Sequence, residues 1–242
     1  MPIALAIAGG AGLAAGASAE TLVVRSSGPS MKAYPPGKAL ADSARIVLKP
    51  NDQVVILDGR GTRTLKGPGT FSPTLATDRP ADLRATFADV SGRRARPGAV
   101  RGVTVANTAT AKSPNIWFVD IGRSSTQCVT DPARVILWRP DRAGESTLTI
   151  SSAAGGSATV KWAAGDSTQS WPATLPVTAG AKYRLSWPGA AAPTTLTFAL
   201  LGPNPTTGLE GMASALIKNG CEAQLDLLIE TVAIPEAVSP AG

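Results

Sequence analysis

The chain has 242 residues, 43% hydrophobic and 17% charged, which gives room for a sizeable core and excludes a disordered polymer. Its 25 glycines and 20 prolines exceed what a helical protein carries, so many short strands joined by tight turns are expected. The net charge of +6 is uneven: residues 1–114 hold 15 Lys and Arg against 7 Asp and Glu, or +8, and residues 115–242 hold 8 against 10, or −2. The basic half reads first as simple solubility and second as a face for an anionic or acidic partner. Aromatic residues interleaved with its charges are limited to Tyr34, Phe71 and Phe87, which argues against a nucleic-acid platform.

The chain opens "MPIALAIAGGAGLAAGASAE", an uncharged apolar run closed by Ala17-Ser18-Ala19, and residues 1–19 read as a signal peptide cut before Glu20. A membrane anchor, which wants about 20 apolar residues, and a buried helix are the competing readings. Export leaves no stable membrane span in the mature chain. "GGAGLAAG" imitates a nucleotide-binding glycine fingerprint but lacks the preceding strand that such a loop requires.

Residues 20–90 read as a small β-domain. "TLVVRS" is a strand, and "ARIVLKPNDQVVILDGRGTRTLKGPGTF" is a meander in which Val47, Lys49, Val54 and Ile56 alternate with their neighbours. Pro50-Asn51-Asp52 and Asp58-Gly59 supply turns, with Arg60, Arg63 and Lys66 on a solvent face. "TDRPADLRATFADV" reads as a helix with Leu83, Phe87 and Val90 at helical spacing. Residues 91–114 lack apolar periodicity and read as a linker; Arg93, Arg94 and Arg96 within it are a candidate partner surface, the alternative being a solvated linker.

Residues 115–202 carry all five tryptophans and the runs "NIWFVDI", "ARVILW", "STLTISS", "SATVKWA", "KYRLSW" and "TTLTFALL", the pattern of an immunoglobulin-like β-sandwich. Leu175, Gly180 and Tyr183 in "LPVTAGAKYRL" suit a tyrosine corner. Residues 203–242 read as a helical hairpin and tail. Thr207 and Glu210 form a capping box, Leu209, Met212, Ala213, Leu216 and Ile217 share one helix face, and Asn219-Gly220 ends it. A second run places Leu225, Leu228, Ile229 and Val232 on one face and Asp226 and Glu230 on the other.

Two cysteines, Cys128 and Cys221, stand in no metal-ligand spacing, and in an exported chain an even pair reads as one disulfide, with two buried thiols as the alternative. The sequence contains no histidine, which excludes Ser-His-Asp and Cys-His nucleophilic systems and zinc-protease helices. Ser30 and Lys32 are at the wrong spacing for a Ser-Lys pair. Asp120, Asp131, Asp141 and Asp166 lie in or beside turns, where accepting local backbone N–H bonds explains them without a catalytic carboxylate pair. "LDGRGTRTLKGPGTF" fails as a phosphate cradle because Lys66 precedes Gly67 and Pro68 removes a backbone donor. No cofactor, metal site or catalytic residue is expected.

Within residues 21–75 the framework Leu48, Val54, Ile56, Leu57, Gly59, Thr64, Leu65 and Gly67 resembles the FecR family of bacterial cell-envelope proteins. The resemblance implies a periplasmic β-rich module, in its best-known members one that senses an outer-membrane receptor and controls a sigma factor. The chain departs from that type in lacking a cytoplasmic anti-sigma segment before a membrane span. The expectation is therefore a mainly β, non-enzymatic periplasmic or secreted protein that binds or scaffolds another envelope protein. The rival is a glycan-binding or polysaccharide-processing protein that uses tryptophan platforms. Trp138, Trp162 and Trp171 are its main candidates, beside Trp117 and Trp187.

Overall fold

The computed structural model describes residues 21–74, 111–202 and 208–234. The expected signal peptide, the helix over 77–90, Arg93, Arg94, Arg96 and the capping residue Thr207 lie outside the described residues. What is described is mainly β, with a helical hairpin at its C-terminal end.

Strands β1 (Thr21–Ser27), β2 (Ala39–Leu40), β4 (Gln53–Asp58) and β5 (Gly61–Lys66) form an antiparallel sheet in the order β2-β1-β4-β5, and β3 (Ile46–Leu48) pairs with β6 (Gly69–Phe71) as a separate ribbon. Val23, Val54 and Ile56 face the ribbon and form one core with Ile46, Leu48 and Leu65. Leu22, Val24, Val55 and Leu57 face the other way and are equally buried. A sheet covered on both faces demands apolar residues at consecutive positions, which is why "VVIL" is an unbroken run. The alternation expected at Val54 and Ile56 is thereby corrected. Arg63 also departs from expectation. Its side chain is only 14% exposed, pairs with Asp58 at 3.8 Å and donates to the Pro73 carbonyl, because the segment after β6 folds over it.

The glycine corner is a site of close approach. A Cβ on Gly67 would sit 2.0 Å from the Lys49 carbonyl oxygen, and the Gly67 N–H donates to the Asp52 carbonyl at 2.9 Å; the peptide bond that follows, Gly67–Pro68, is cis. Asp52 itself is buried, its carboxylate accepting the N–H groups of Ser30 (2.8 Å) and Lys49 (2.5 Å). Burial opposes its ionisation, but the Ser30 and Lys49 hydrogen bonds and the Lys49 charge outweigh it and hold the carboxyl below its ordinary value of 3.8. A depressed folded-state pKa gives stability that is present above 3.8 and lost as pH falls through the folded value. Asp52→Asn is therefore expected to lower the unfolding midpoint at neutral pH and to lose that deficit relative to the parent in strong acid. Urea titrations at several pH values check this, and a deficit that grows toward acid would refute it.

The second module is a sandwich. Strands β8 (Ser125–Val129), β10 (Ser146–Ser152), β11 (Ser157–Trp162), β13 (Lys182–Ser186) and β14 (Thr194–Leu200) form one sheet in the order β11-β10-β13-β14-β8. Strands β7 (Phe118–Asp120), β9 (Ile136–Trp138) and β12 (Thr168–Ser170) form the other, in the order β12-β9-β7. β14 with β8 and β7 with β9 are parallel pairs, so β7 and β8 are end strands of facing sheets. Leu137, Leu148, Ile150, Leu185 and Leu196 are fully buried between the sheets. Trp171, Tyr183 and Phe198 meet edge to face, with ring centres 5.1 to 5.5 Å apart. The tyrosine corner forms: Tyr183 Oη donates to the Pro176 carbonyl at 2.7 Å and accepts the Thr178 N–H at 3.0 Å.

Helices α1 (Gly208–Lys218) and α2 (Glu222–Thr231) are joined through Gly220 at φ +67°. Their apolar stripes supply Leu209, Ala213, Leu216, Leu225, Leu228 and Ile229 to a core shared with Leu22, Val24, Val55 and Leu57 of the first module. Ile116, Ala199 and Leu201 of the second module pack against the same cluster, and Cys128 is bonded to Cys221 across a Cα separation of 5.8 Å. The hairpin is thus a common core on which both β-modules rest. Among the described residues no helix is long and apolar enough to cross a membrane.

Candidate functional site

An end strand leaves backbone N–H and C=O groups unpaired on its outer edge, a liability that a folded chain has to cover. On β8 that edge is covered at one residue by a side chain. The Cys128 N–H donates to Gln224 Oε1 at 2.6 Å, and Gln224 Nε2 donates to the carbonyls of Cys128 (3.0 Å) and Ile116 (2.9 Å). The amide of Gln224, only 3% exposed on α2, thereby imitates one residue of a neighbouring strand. Gln224→Leu is expected to cost about 2 kcal/mol, since it leaves the Cys128 N–H and two carbonyls buried without partners. Urea unfolding measures it, and a change under about 0.5 kcal/mol would rule out the clamp.

Next to this clamp lies a cleft of about 220 Å³. Its walls are the 112–123 stretch, β8 and the outer face of α2. Phe118, Asp120, Ser125 and Gln127 reach it from the two end strands, and Leu227 and Glu230 from the helix. Lys112 and Ser113, in the stretch read as linker, also line it. Two carboxylates expected on the polar face of α2 are paired: Asp226 with Arg25, and Glu230 with Lys112 at 2.6 Å. These are exposed pairs and add little to stability.

Asp120 differs. Its Oδ1 accepts the Gly122 N–H at 2.9 Å, the local turn bond expected from sequence, and Asp131 and Asp141 make the same bond to Ala133 and Ala143. Yet Asp120 also lines the cleft, where burial pushes its carboxyl above the ordinary value and the Gly122 amide and Arg123 charge offset this only in part. Gln127 is 3% exposed, and its Nε2 has no hydrogen-bond partner among the described residues. A buried donor without an acceptor is uncommon enough to need an explanation. Sequence reasoning passed over Gln127 and Gln224 and read Asp120 only as a turn residue.

The tryptophan platform is a correction. Trp138, Trp162 and Trp171 are 5%, 2% and 9% exposed, packed in the sandwich core, and cannot present a ring face to a sugar. Trp171 Nε1 donates to the Leu175 carbonyl at 2.6 Å, and Trp162 lies under the buried Arg139 guanidinium at 5.7 Å. The anchors are carbonyls: Arg139 donates to those of Gly144, Ala163 and Asp166. Trp117 and Trp187 are partly buried; Trp187 packs against that same core, and Trp117 lies beside Asp131 and Arg134.

Among the described residues no group of three or more His, Cys, Asp or Glu is placed to hold a metal ion. Fold and cleft define a two-module β protein with a shared helical core and a polar cleft at an end strand. No protein-family model matches the chain, and no curated protein or solved structure matches it.

Proposed function

We propose that the chain is a non-enzymatic binding module of the bacterial cell envelope, exported by its first 19 residues, which docks a protein partner in the cleft between β8 and α2. One observation carries this reading. Next to the Gln224 clamp lies an open, largely polar cleft of about 220 Å³, walled by Ser125 and Gln127 of β8, by the 112–123 stretch and by α2, a surface suited to receiving a segment of a protein partner. Support for a non-enzymatic role is the absence of histidine from the whole sequence. The FecR-like cadence of residues 21–75 and a disulfide in the folded chain both suit an envelope compartment. A link to sigma-factor signalling would follow from the family resemblance alone.

The test places a photo-crosslinking residue at Ser125, in the cleft, or at Thr159, on the distant strand β11, in the producing bacterium. A defined envelope protein captured from Ser125 and not from Thr159 is the expected result. Equal capture from both positions, or from neither, would overturn the docking reading. N-terminal sequencing of the mature protein from the envelope fraction should begin at Glu20.

A further inference from the structure

We infer that a second cleft, beside Trp117, is a sugar subsite: it takes one neutral pyranose unit of a glycan, stacked on the indole, with two adjacent hydroxyls on the Asp131 carboxylate and the Arg134 guanidinium. It shares no lining residue with the cleft between β8 and α2 and goes beyond the docking reading.

The cleft holds about 230 Å³, with Val129 and Val135 as its buried lining and Trp117, Thr130, Asp131 and Arg134 around them. Sites for drug-sized ligands run from about 300 to 1,000 Å³, so this one has room for a single ring. A pyranose presents an apolar face of C–H groups, and the face of an indole carries the negative part of the ring quadrupole, so the two stack. Trp117 is partly buried, and its indole N–H makes no hydrogen bond among the described residues and is not enclosed, unlike that of Trp162. A donor therefore remains at the edge of the ring for a sugar hydroxyl. The ring also springs from an ordered turn: the Trp117 N–H donates to Asn115 Oδ1 at 2.8 Å, and the Phe118 N–H donates to the Asn115 carbonyl at 3.1 Å. A platform fixed before binding needs less ordering when the ligand arrives.

The charges select a neutral, hydroxylated ligand. The lining holds one carboxylate, Asp131, and one cation, Arg134, which pair with each other at 3.3 Å, so their charges cancel. Their hydrogen-bonding capacity does not cancel. Asp131 Oδ1 accepts the Ala133 N–H at 2.9 Å and Oδ2 faces Arg134 Nε, which leaves carboxylate lone pairs open. The Arg134 side chain is 86% exposed, and its Nη groups make no hydrogen bond among the described residues. The Arg134 N–H donates to the Asp131 carbonyl at 3.1 Å, so both side chains stand on one ordered turn. An acceptor beside a donor matches two adjacent hydroxyls, one donating to Asp131 and the other accepting from Arg134, and bonds to ionised groups are the stronger kind. An anion would meet Asp131 and a cation would meet Arg134, so an ionic ligand gains no net attraction here.

The experiment is a titration of the ¹⁵N-labelled full chain with the methyl glycosides of glucose, galactose and mannose. Methyl glucuronide serves as an acidic sugar and cyclohexanol as a ring without adjacent hydroxyls. Trp117→Leu identifies the Trp117 indole resonance by its loss. At least one neutral glycoside should move that resonance together with the Asp131 amide, with a Kd of roughly 1 mM, as suits a ligand of that size. Cyclohexanol and the glucuronide should bind about five-fold or more weakly, the worth of one lost hydrogen bond. Arg134→Ala, and Asp131→Asn, which retains the acceptor for the Ala133 N–H, should each weaken the glycoside by a similar factor while the remaining spectrum keeps its dispersion. That separates loss of the site from loss of the fold. An indole resonance unmoved by all three glycosides, equal binding of cyclohexanol or of the glucuronide, or full binding by either variant would each overturn the inference. The Ser125 crosslink does not depend on this site, so failure here leaves protein docking standing.

Discussion

Reducing the Cys128–Cys221 bond is expected to lower the thermal midpoint by about 10 °C or more. The bond spans a sequence separation of 93 residues, and in the chain-entropy account closing a loop of that size stabilises by about 4 to 5 kcal/mol. For a chain of this size each kcal/mol moves the midpoint by about 2 to 4 °C. The location adds a specific signature. Cys221 begins the turn into α2, Cys128 lies on β8, and the Gln224 clamp sits one helical turn further on, so the bond and the clamp hold the same junction. Hydrogen exchange in α1 and α2 should therefore speed up more than in β10 and β13, which are held by the separate sandwich core. Calorimetry with and without reductant, alongside a Cys128→Ala, Cys221→Ala double variant, checks both effects. An unchanged midpoint would remove the bond from any stabilising role, and uniform acceleration of exchange would refute the local account.

Gly61→Ala is the second large effect, expected to destabilise by about 3 kcal/mol, because Gly61 holds a backbone conformation that side chains rarely adopt. Its φ is +137°, and a Cβ there would lie 2.2 Å from the Val232 carbonyl oxygen. That carbonyl accepts the Thr62 N–H at 2.9 Å, the Ile234 N–H donates to the Thr62 carbonyl at 3.0 Å, and Thr62 Oγ1 donates to the Ile229 carbonyl at 2.7 Å. The substitution would drive the end of α2 off the edge of β5 that these bonds cover. Gly59→Ala provides the contrast. The nearest atom to its added Cβ is Glu210 Oε1 at 3.5 Å, an ordinary contact, and a change within about 0.5 kcal/mol is expected. Urea unfolding of the two variants decides the matter, and equal losses would show that turn propensity rather than docking of the hairpin governs both glycines.

Local chemistry made several features readable without the fold. Tyr183 after a Gly180 turn, the i, i+3, i+4 stripe from Leu209 to Ile217, and the Asx turns at Asp131 and Asp141 are each written within a few residues, and each forms. The mainly β class and the pairing of the two cysteines followed from composition and count.

Strand β8 was not readable, because "STQCV" carries no apolar alternation: as an end strand it offers Cys128 to the helical core and Gln127 to a cleft, and neither is a sheet-core signal. The doubly buried "VVIL", the inward Arg63 and the burial of Trp138, Trp162 and Trp171 were likewise decided by what packs above them. Sequence by itself determined the elements whose causes lie within one turn or one strand. Only the tertiary structure decided the cleft, since Asp120, Gln127 and Gln224 come from three elements and come together when a helix nearly 100 residues downstream of β8 packs against that strand and covers its edge at Cys128.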